Sequence, residues 1–559
     1  MVKSLICFCL FVLACSASLA RVDCVTVRSQ SVSGGGQTPA TRTGVASSGT
    51  TSPVYVNGLP VVEIDFTYFN CLDNYMNDSY RGIDRDARRG ATMTISNTSE
   101  EFEFQDQFIQ IRGRGNSTWA SHGDKRPYQI RFNGPSANNQ TMRPSPTTQY
   151  RTRYMFDSSY AARTWTLIAN AIDASLMRHY AAYYLGNLLR MPFAPYGWFV
   201  HLYLNGEYRG VYMMCDQINV HDGGRMADMV RSSNPYQTEF LLEMCERLHR
   251  SGVIPANTLH PNEDMWVYVG GKSYELAWPS YEYLTQAHMT RFREILQSVD
   301  NLLGRNSNAG NIPREQLETI MDVDSFVDFY LLHELFKNSD VGYSSMRYQI
   351  RIQNGVQRIV AGPVWDFDIS SGGMMNPWFR GYRDFHRPTG IWAARCPRTG
   401  VRPAVWFHNL MRNEWFQEEA RHRWDEIRNN EVAQMKNHIM SLAINHSDCF
   451  DRNFDEAWPN WIRQLARDRQ VRVPTEIRRA NSHLEHVEHM YNWFGTRMVW
   501  MDGFLENPNP HLDRQIRSRP IVYISIGVVG LVVFSVAGMA TFFAVRENKK
   551  RKKEAESGN

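Results

Sequence analysis

Two short stretches hold residues whose types and spacing could do chemistry: FVDFYLLHELFKNSD (326–340) and VAGPVWDFDISSGG (360–373). In the second, Asp366 and Asp368 stand two apart beside apolar Val364, Trp365 and Phe367. On extended backbone, residues two apart point to one face, so both carboxylates would present their oxygens together. Hard oxygen donors arranged in this way suit Mg²⁺ or Mn²⁺, cations that sit between carboxylates and phosphates. A turn or N-cap aspartate pair has the same spacing, so the pair alone does not decide. Gly372-Gly373 supplies a flexible turn beyond it.

The first stretch is apolar around nearly its whole circumference from Phe326 to Phe336, which predicts a buried helix. Glu334 and Asn338, four apart, share a face. A carboxylate buried there needs a positive or hydrogen-bonding partner. Asn338-Ser339-Asp340 then places polar groups at the helix mouth. A third run, IQIRGRGNSTW through DKRPYQIRF, sets Arg112, Arg114, Lys125, Arg126 and Arg131 on or between strands. These cations could hold phosphate oxygens; solvated strand faces give the same pattern. Gly113 and Gly115 form a lone G-x-G, and no Walker lysine loop occurs.

The elements that must position these residues follow from hydrophobic patterning. VVEIDFTYF (61–69), ATMTISN (91–97), EFEFQDQFIQIRG (101–113) and YQIRF (128–132) alternate as strands do. A helix is expected over about 174–189, and a hairpin over 198–214 turning at Asn205-Gly206. After about residue 220 helical patterns take over, at 281–303, 324–338, 404–445, 456–469 and 476–505. The result is an α+β chain with a β-rich N-lobe (55–220) and a helical C-lobe (221–510).

The ends carry a separate message. Residues 1–20 have a basic start at Lys3, an apolar run and small residues before Ala20, the pattern of a cleaved secretory signal. Residues 21–54 are rich in Ser, Gly and Thr and read as a linker. From 521 to 545 run 25 residues without a charge, enough for one transmembrane helix. A basic cytoplasmic tail follows at 546–559, which sets the orientation of a single-pass type I membrane protein with its globular part lumenal or extracellular.

That tail holds six basic and three acidic residues of a chain whose net charge is +4, leaving about +1 elsewhere. No concentrated basic footprint remains for nucleic acid. Past the signal, Cys24, Cys71, Cys215, Cys245, Cys396 and Cys449 could form disulfides whose pairing the sequence does not choose. Asn77, Asn97, Asn116, Asn139 and Asn445 each open an N-x-S/T glycosylation triplet. Neither G-x-S-x-G nor H-E-x-x-H occurs. His483, His486 and His489 offer nitrogen donors that zinc binds, but steps of three rotate around a helix and favour a solvated face. Trp458 and Trp461 are expected in the core.

Taken together, from about Leu59 to Asp502, these blocks resemble the CotH kinase family, the spore coat protein H group. The resemblance rests on the run at 112–118, the strand at 125–130, WTLIANAIDASLMRHYAA (165–182), YLNGEYRGVY (203–212) and FLLE (240–243). It continues through HELFKNSD (333–340), GPVWDFD (362–368) and WFGTRMVWMD (493–502). It implies a bilobal atypical protein-kinase-like fold that uses ATP and a divalent metal to phosphorylate protein Ser/Thr hydroxyls. By that resemblance Asp366 is the metal-binding aspartate, assisted by Asp368 and Asn338, and Asp340 orients the acceptor hydroxyl. Lys125, Arg126 and Arg112 face phosphates, and Glu334 supports the site. Asp216-Gln217 replaces the Glu-Lys that relatives often carry, placing Asp216 near the nucleotide hinge. The alternative implied by the same family is a catalytically weak surface adhesin that binds a receptor.

Overall fold

The computed structural model describes residues 54–65, 88–115, 117–120, 125–132, 155–156, 160–221, 224–245, 265–304, 310–374, 386–395, 405–468 and 473–512. The expected signal, linker, membrane span and tail lie outside them, apart from Val54. So do Cys24, Cys71, Cys396, Asn77, Asn116 and Asn139. Among the described residues no helix is long and apolar enough to cross a membrane.

Strands β1 (Val61–Asp65), β2 (Arg89–Ser96), β3 (Phe104–Gly113), β4 (Tyr128–Phe132), β5 (Thr164–Ile168), β6 (Gly197–Leu204) and β7 (Glu207–Asp216) form the N-terminal β region. They close into a barrel in the order β1-β2-β3-β4-β5-β7-β6. All neighbours are antiparallel except β1 and β6, which run parallel. Alternation drives the closure: Val62, Ile64, Met93, Ile109, Ile111 and Ile130 point into one core, each at most 1% exposed. The hairpin between β6 and β7 turns at Asn205-Gly206, with both φ angles positive (48° and 76°). That is the primed-turn geometry this dipeptide favours.

The chain after residue 220 is helical in large part, as expected, but it also carries strands that the helical patterns did not announce. It contains a second, five-stranded antiparallel sheet: β8 (Phe240–Met244), β9 (Trp266–Val269), β10 (Lys272–Trp278), β11 (Met346–Gln353) and β12 (Val356–Ala361). The spatial order is β12-β11-β8-β10-β9. The physical reason lies in MRYQIRIQ and VQRIVA, where β-branched and aromatic residues alternate across an Asn354-Gly355 turn.

Six longer helices complete the described fold: α1 (Arg178–Leu188), α2 (Gln286–Leu303), α3 (Val323–Phe336), α4 (Glu414–Arg428), α5 (Glu431–Asn445) and α6 (His483–Glu506). α3 starts where Asp322 caps the Ser325 amide at 3.0 Å, and it ends at Lys337 in the left-handed region (φ 48°). Of its residues only Asp324 is exposed.

The histidine triplet is not a solvated face. His483 and His486 are 0% and 4% exposed, and His483 stacks on Phe450 at 4.2 Å while bonding to the Ser175 carbonyl. α6 is wrapped on several sides, so rotation by threes still ends in the interior. Trp461 packs in the core as expected, donating to the Ala171 carbonyl at 2.7 Å.

Candidate functional site

The site forms where α3, the start of α1 and the segment leaving β12 converge. The left-handed cap at Lys337 turns the chain sharply after α3 and brings Asn338 and Asp340 to its mouth. The segment after Ala361 delivers Asp366 and Asp368, but not on extended backbone. Asp366 has φ 66°, a left-handed conformation that Asp adopts more readily than most residues. The carboxylates still meet: single ligand atoms of His179, Asp366 and Asp368 lie within 4.8 Å of one another.

Asn338 joins the two aspartate segments. Its Nδ2 donates to the Asp366 carbonyl at 2.9 Å, and its Oδ1 accepts from the Asp340 amide at 2.9 Å. Asp340 Oδ2 accepts from Ser344 Oγ at 3.2 Å, and Asp366 Oδ2 accepts from Ser345 Oγ at 2.8 Å. Asp340 and Asp366 are half-buried, so the site is not sealed, whereas Asp368 is 8% exposed. Burial first, then the neighbouring Asp366 and Asp340 carboxylates, hold Asp368 well above the usual carboxylate range.

The donor chemistry can be tested against a cation. Burial lowers the His179 imidazole to about 4, so it is neutral near pH 7. Its Nδ1 accepts the Phe367 N–H at 3.0 Å, which places the ring hydrogen on Nε2. One nitrogen has spent its lone pair and the other carries a proton, so neither is available to a metal. The remaining donors are carboxylate and amide oxygens, a set that fits Mg²⁺ or Mn²⁺ and not a soft ion.

A buried frame holds the loop that carries the pair. Arg178 ion-pairs with Asp173 and donates to the carbonyls of Ser370 (2.9 Å) and Ser371 (3.2 Å). The glycines are close-packed here rather than a flexible turn. Gly372 (φ 72°) abuts the Trp493 ring, and a Cβ on Gly373 would lie 2.6 Å from Arg178 Nε. The partner that buried Glu334 needs is Arg497, at 2.6 Å, and Glu334 also accepts the Trp392 and Ala393 amides at 2.7 Å. Glu334 therefore anchors residues 386–395 and stands outside the acidic cluster.

The cations named from sequence go to different places. Lys125 is 1% exposed, donates to the Val211 carbonyl at 2.8 Å and lies over the Tyr212 ring. Burial lowers its ammonium to about 7. Arg126 covers Trp119 at 4.8 Å, and Arg112 donates to Gln129 at 2.7 Å. Asp216 accepts from the Tyr196 amide (2.8 Å) and pairs with Arg225 (3.2 Å), bracing the end of β7. Arg114 is the barrel cation whose charge acts on Asp366.

Sequence reasoning did not single out His179, Arg178, Asp173, Ser345, Glu243 or Arg347. The first three sit in or just before an apolar-looking helix start, and the bonds of His179 and Arg178 run to backbone atoms nearly two hundred residues away. Glu243 and Arg347 belong to the second sheet and Ser345 immediately precedes its strand β11; the Asn354-Gly355 hairpin signal could have revealed that sheet. Of the described glycosylation asparagines, Asn445 is exposed, whereas Asn97 Nδ2 donates to the Leu59 carbonyl at 2.8 Å. Cys215 Sγ lies 2.9 Å from Thr166 Oγ1, and burial pushes its thiol up to about 12.

A family model described as CotH kinase protein matches residues 110–501. No curated protein matches the sequence.

Proposed function

The chain belongs to the CotH kinase family, and from that membership we propose that it transfers the γ-phosphoryl group of ATP to Ser/Thr hydroxyls of a protein substrate, with Mg²⁺ or Mn²⁺. The observation that carries this reading is that the Asn338 amide joins the backbones of Asp340 and Asp366, with the Asp368 carboxylate under the influence of both acids. Asp366 and Asp368 would hold the cation, with the second lone pair of Asn338 Oδ1 beside them. Bound there, a divalent ion supplies charge neutralisation for the phosphates, the main requirement of phosphoryl transfer.

Asp340, half-buried at the mouth, orients the acceptor hydroxyl and receives its proton at a carboxylate oxygen. Ser344 and Ser345 fix the rotamers of Asp340 and Asp366 by hydrogen bonding. His179 keeps the Phe367 amide satisfied and so holds the aspartates on either side of it in place. The signal-like residues 1–20 and the charge-free 521–545 support a secretory-pathway or cell-surface setting, with this region on the lumenal or outer side.

Incubating the purified full-length protein with labelled ATP, candidate protein acceptors and Mg²⁺ or Mn²⁺ tests the proposal. Label should pass to a protein hydroxyl, and Asp340→Asn and Asp366→Asn should each lower transfer by orders of magnitude without loss of folding. Neither labelling nor a thermal shift with ATP would instead favour the surface-binding reading.

A further inference from the structure

Two guanidinium groups from distant parts of the chain meet over one indole beside the acidic cluster. Arg114 leaves the end of β3 and lies 5.2 Å from the Trp365 ring centroid; Arg347, on β11, lies 5.9 Å from it. Tyr183 stacks on the same indole at 5.8 Å and 15°, fixing its plane. Asp366, next in sequence to Trp365, and Arg347 both act on the charge of Arg114, in opposite senses.

Their hydrogen bonding is incomplete. Among the described residues the Arg114 side chain has no hydrogen bond or ion pair, although it is half-buried. Arg347 pairs with Glu243 at 2.6 Å, but its buried Nε has no partner. Glu243 also accepts the Ser345 amide at 3.2 Å, and Ser345 Oγ bonds to Asp366. One chain of contacts thus ties Arg347 to the cation-holding carboxylate. Placing two like charges together, with Arg347 Nε unsatisfied in the interior, costs stability unless an anion completes the arrangement.

We propose that Arg114 and Arg347 are the positioning residues for the terminal phosphates of a nucleoside triphosphate. The proposal rests on the kinase reading above. Guanidinium forks match phosphate oxygens two at a time. A single phosphate can satisfy one fork, whereas linked phosphates offer oxygens to both forks and to a carboxylate-held cation at once. The pair therefore makes the site selective for polyphosphate over monophosphate. It replaces Lys125, whose ammonium is committed to a barrel carbonyl, as the main phosphate contact.

The test measures binding of ATP, AMP and inorganic triphosphate, each with Mg²⁺, to the full-length protein and to Arg114→Gln and Arg347→Lys. The Arg114 side chain has no hydrogen-bond or ion-pair partner among the described residues to abandon, and lysine at 347 keeps the pairing with Glu243 while losing the fork, so both should fold. Each variant should weaken ATP and triphosphate, Arg114→Gln by roughly 10- to 100-fold, and leave AMP affinity unchanged. Equal losses for AMP and ATP, or none for ATP, would overturn the assignment. Arginine-dependent triphosphate binding without ATP binding would support the phosphate site and overturn the kinase reading. If the wild-type protein binds neither, both fall. Should Arg114→Gln fail to fold, the Arg347→Lys comparison decides alone.

Discussion

Two sets of buried or half-buried acids lie close together in this molecule and are treated in opposite ways. Glu334 and Asp173 each have a private arginine, Arg497 and Arg178, together with backbone amides that fill their remaining lone pairs. Asp366 and Asp368 face each other instead, and Asp368 is driven toward its protonated form. The first set holds loops in place, and the second is left electrically incomplete. The difference teaches where to look for chemistry: a satisfied buried acid is structural, whereas acids crowded together await a counter-charge from outside.

The comparison breaks or sharpens most visibly at Asp366. Asp366→Asn should lower phosphoryl transfer by about three orders of magnitude, measured as the initial rate of label incorporation, while leaving the unfolding transition at or above the wild-type temperature. A variant that unfolds would place Asp366 with the structural acids.

Arg497→Met should do the reverse. Stranding Glu334 in the interior should cost about 3–5 kcal/mol in denaturant unfolding. The double variant Glu334→Gln/Arg497→Met should recover much of that loss, because no unpaired charge remains. Equal instability of single and double variants would mean that the pair itself, and not the stranded charge, matters.

A smaller effect separates Lys125 from the proposed phosphate contact Arg114. Lys125 is buried and satisfied, with its ammonium lowered to about 7, below its unfolded value of about 10.4. The folded form therefore binds fewer protons than the unfolded chain between those values, and the burial penalty, full below pH 7, is relieved as pH rises toward 10. Lys125→Met should gain most relative to the wild type near pH 6 and lose that advantage by pH 10, with ATP affinity unchanged. A collapse of ATP affinity would return Lys125 to the phosphate site.

How much of this was legible in the sequence depended on the range of the interactions involved. The Asn205-Gly206 hairpin and the all-round apolar α3 are local patterns and were readable. The Asp366/Asp368 pair was visible as a spacing, but the geometry assumed for it was wrong. Asp366 sits in the left-handed region, and the carboxylates are brought together by contacts from Asn338 and the Arg178 frame. The second sheet was hidden because α2 and α3 stand between β10 and β11 in the chain. Its β11–β12 hairpin nonetheless carries the same Asn-Gly signature as the barrel hairpin. His179 gave no signal at all: its Nδ1 bonds to an amide 188 residues away in sequence.

The most direct test of the central claim is the electron paramagnetic resonance of Mn²⁺ bound to the full-length protein with ATP. An oxygen-only ligand set at Asp366 and Asp368 predicts Mn²⁺ binding that disappears in Asp366→Asn and shows no nitrogen coupling from a protein imidazole. Undiminished Mn²⁺ binding in that variant, or a histidine nitrogen coupling abolished by His179→Gln, would contradict the account.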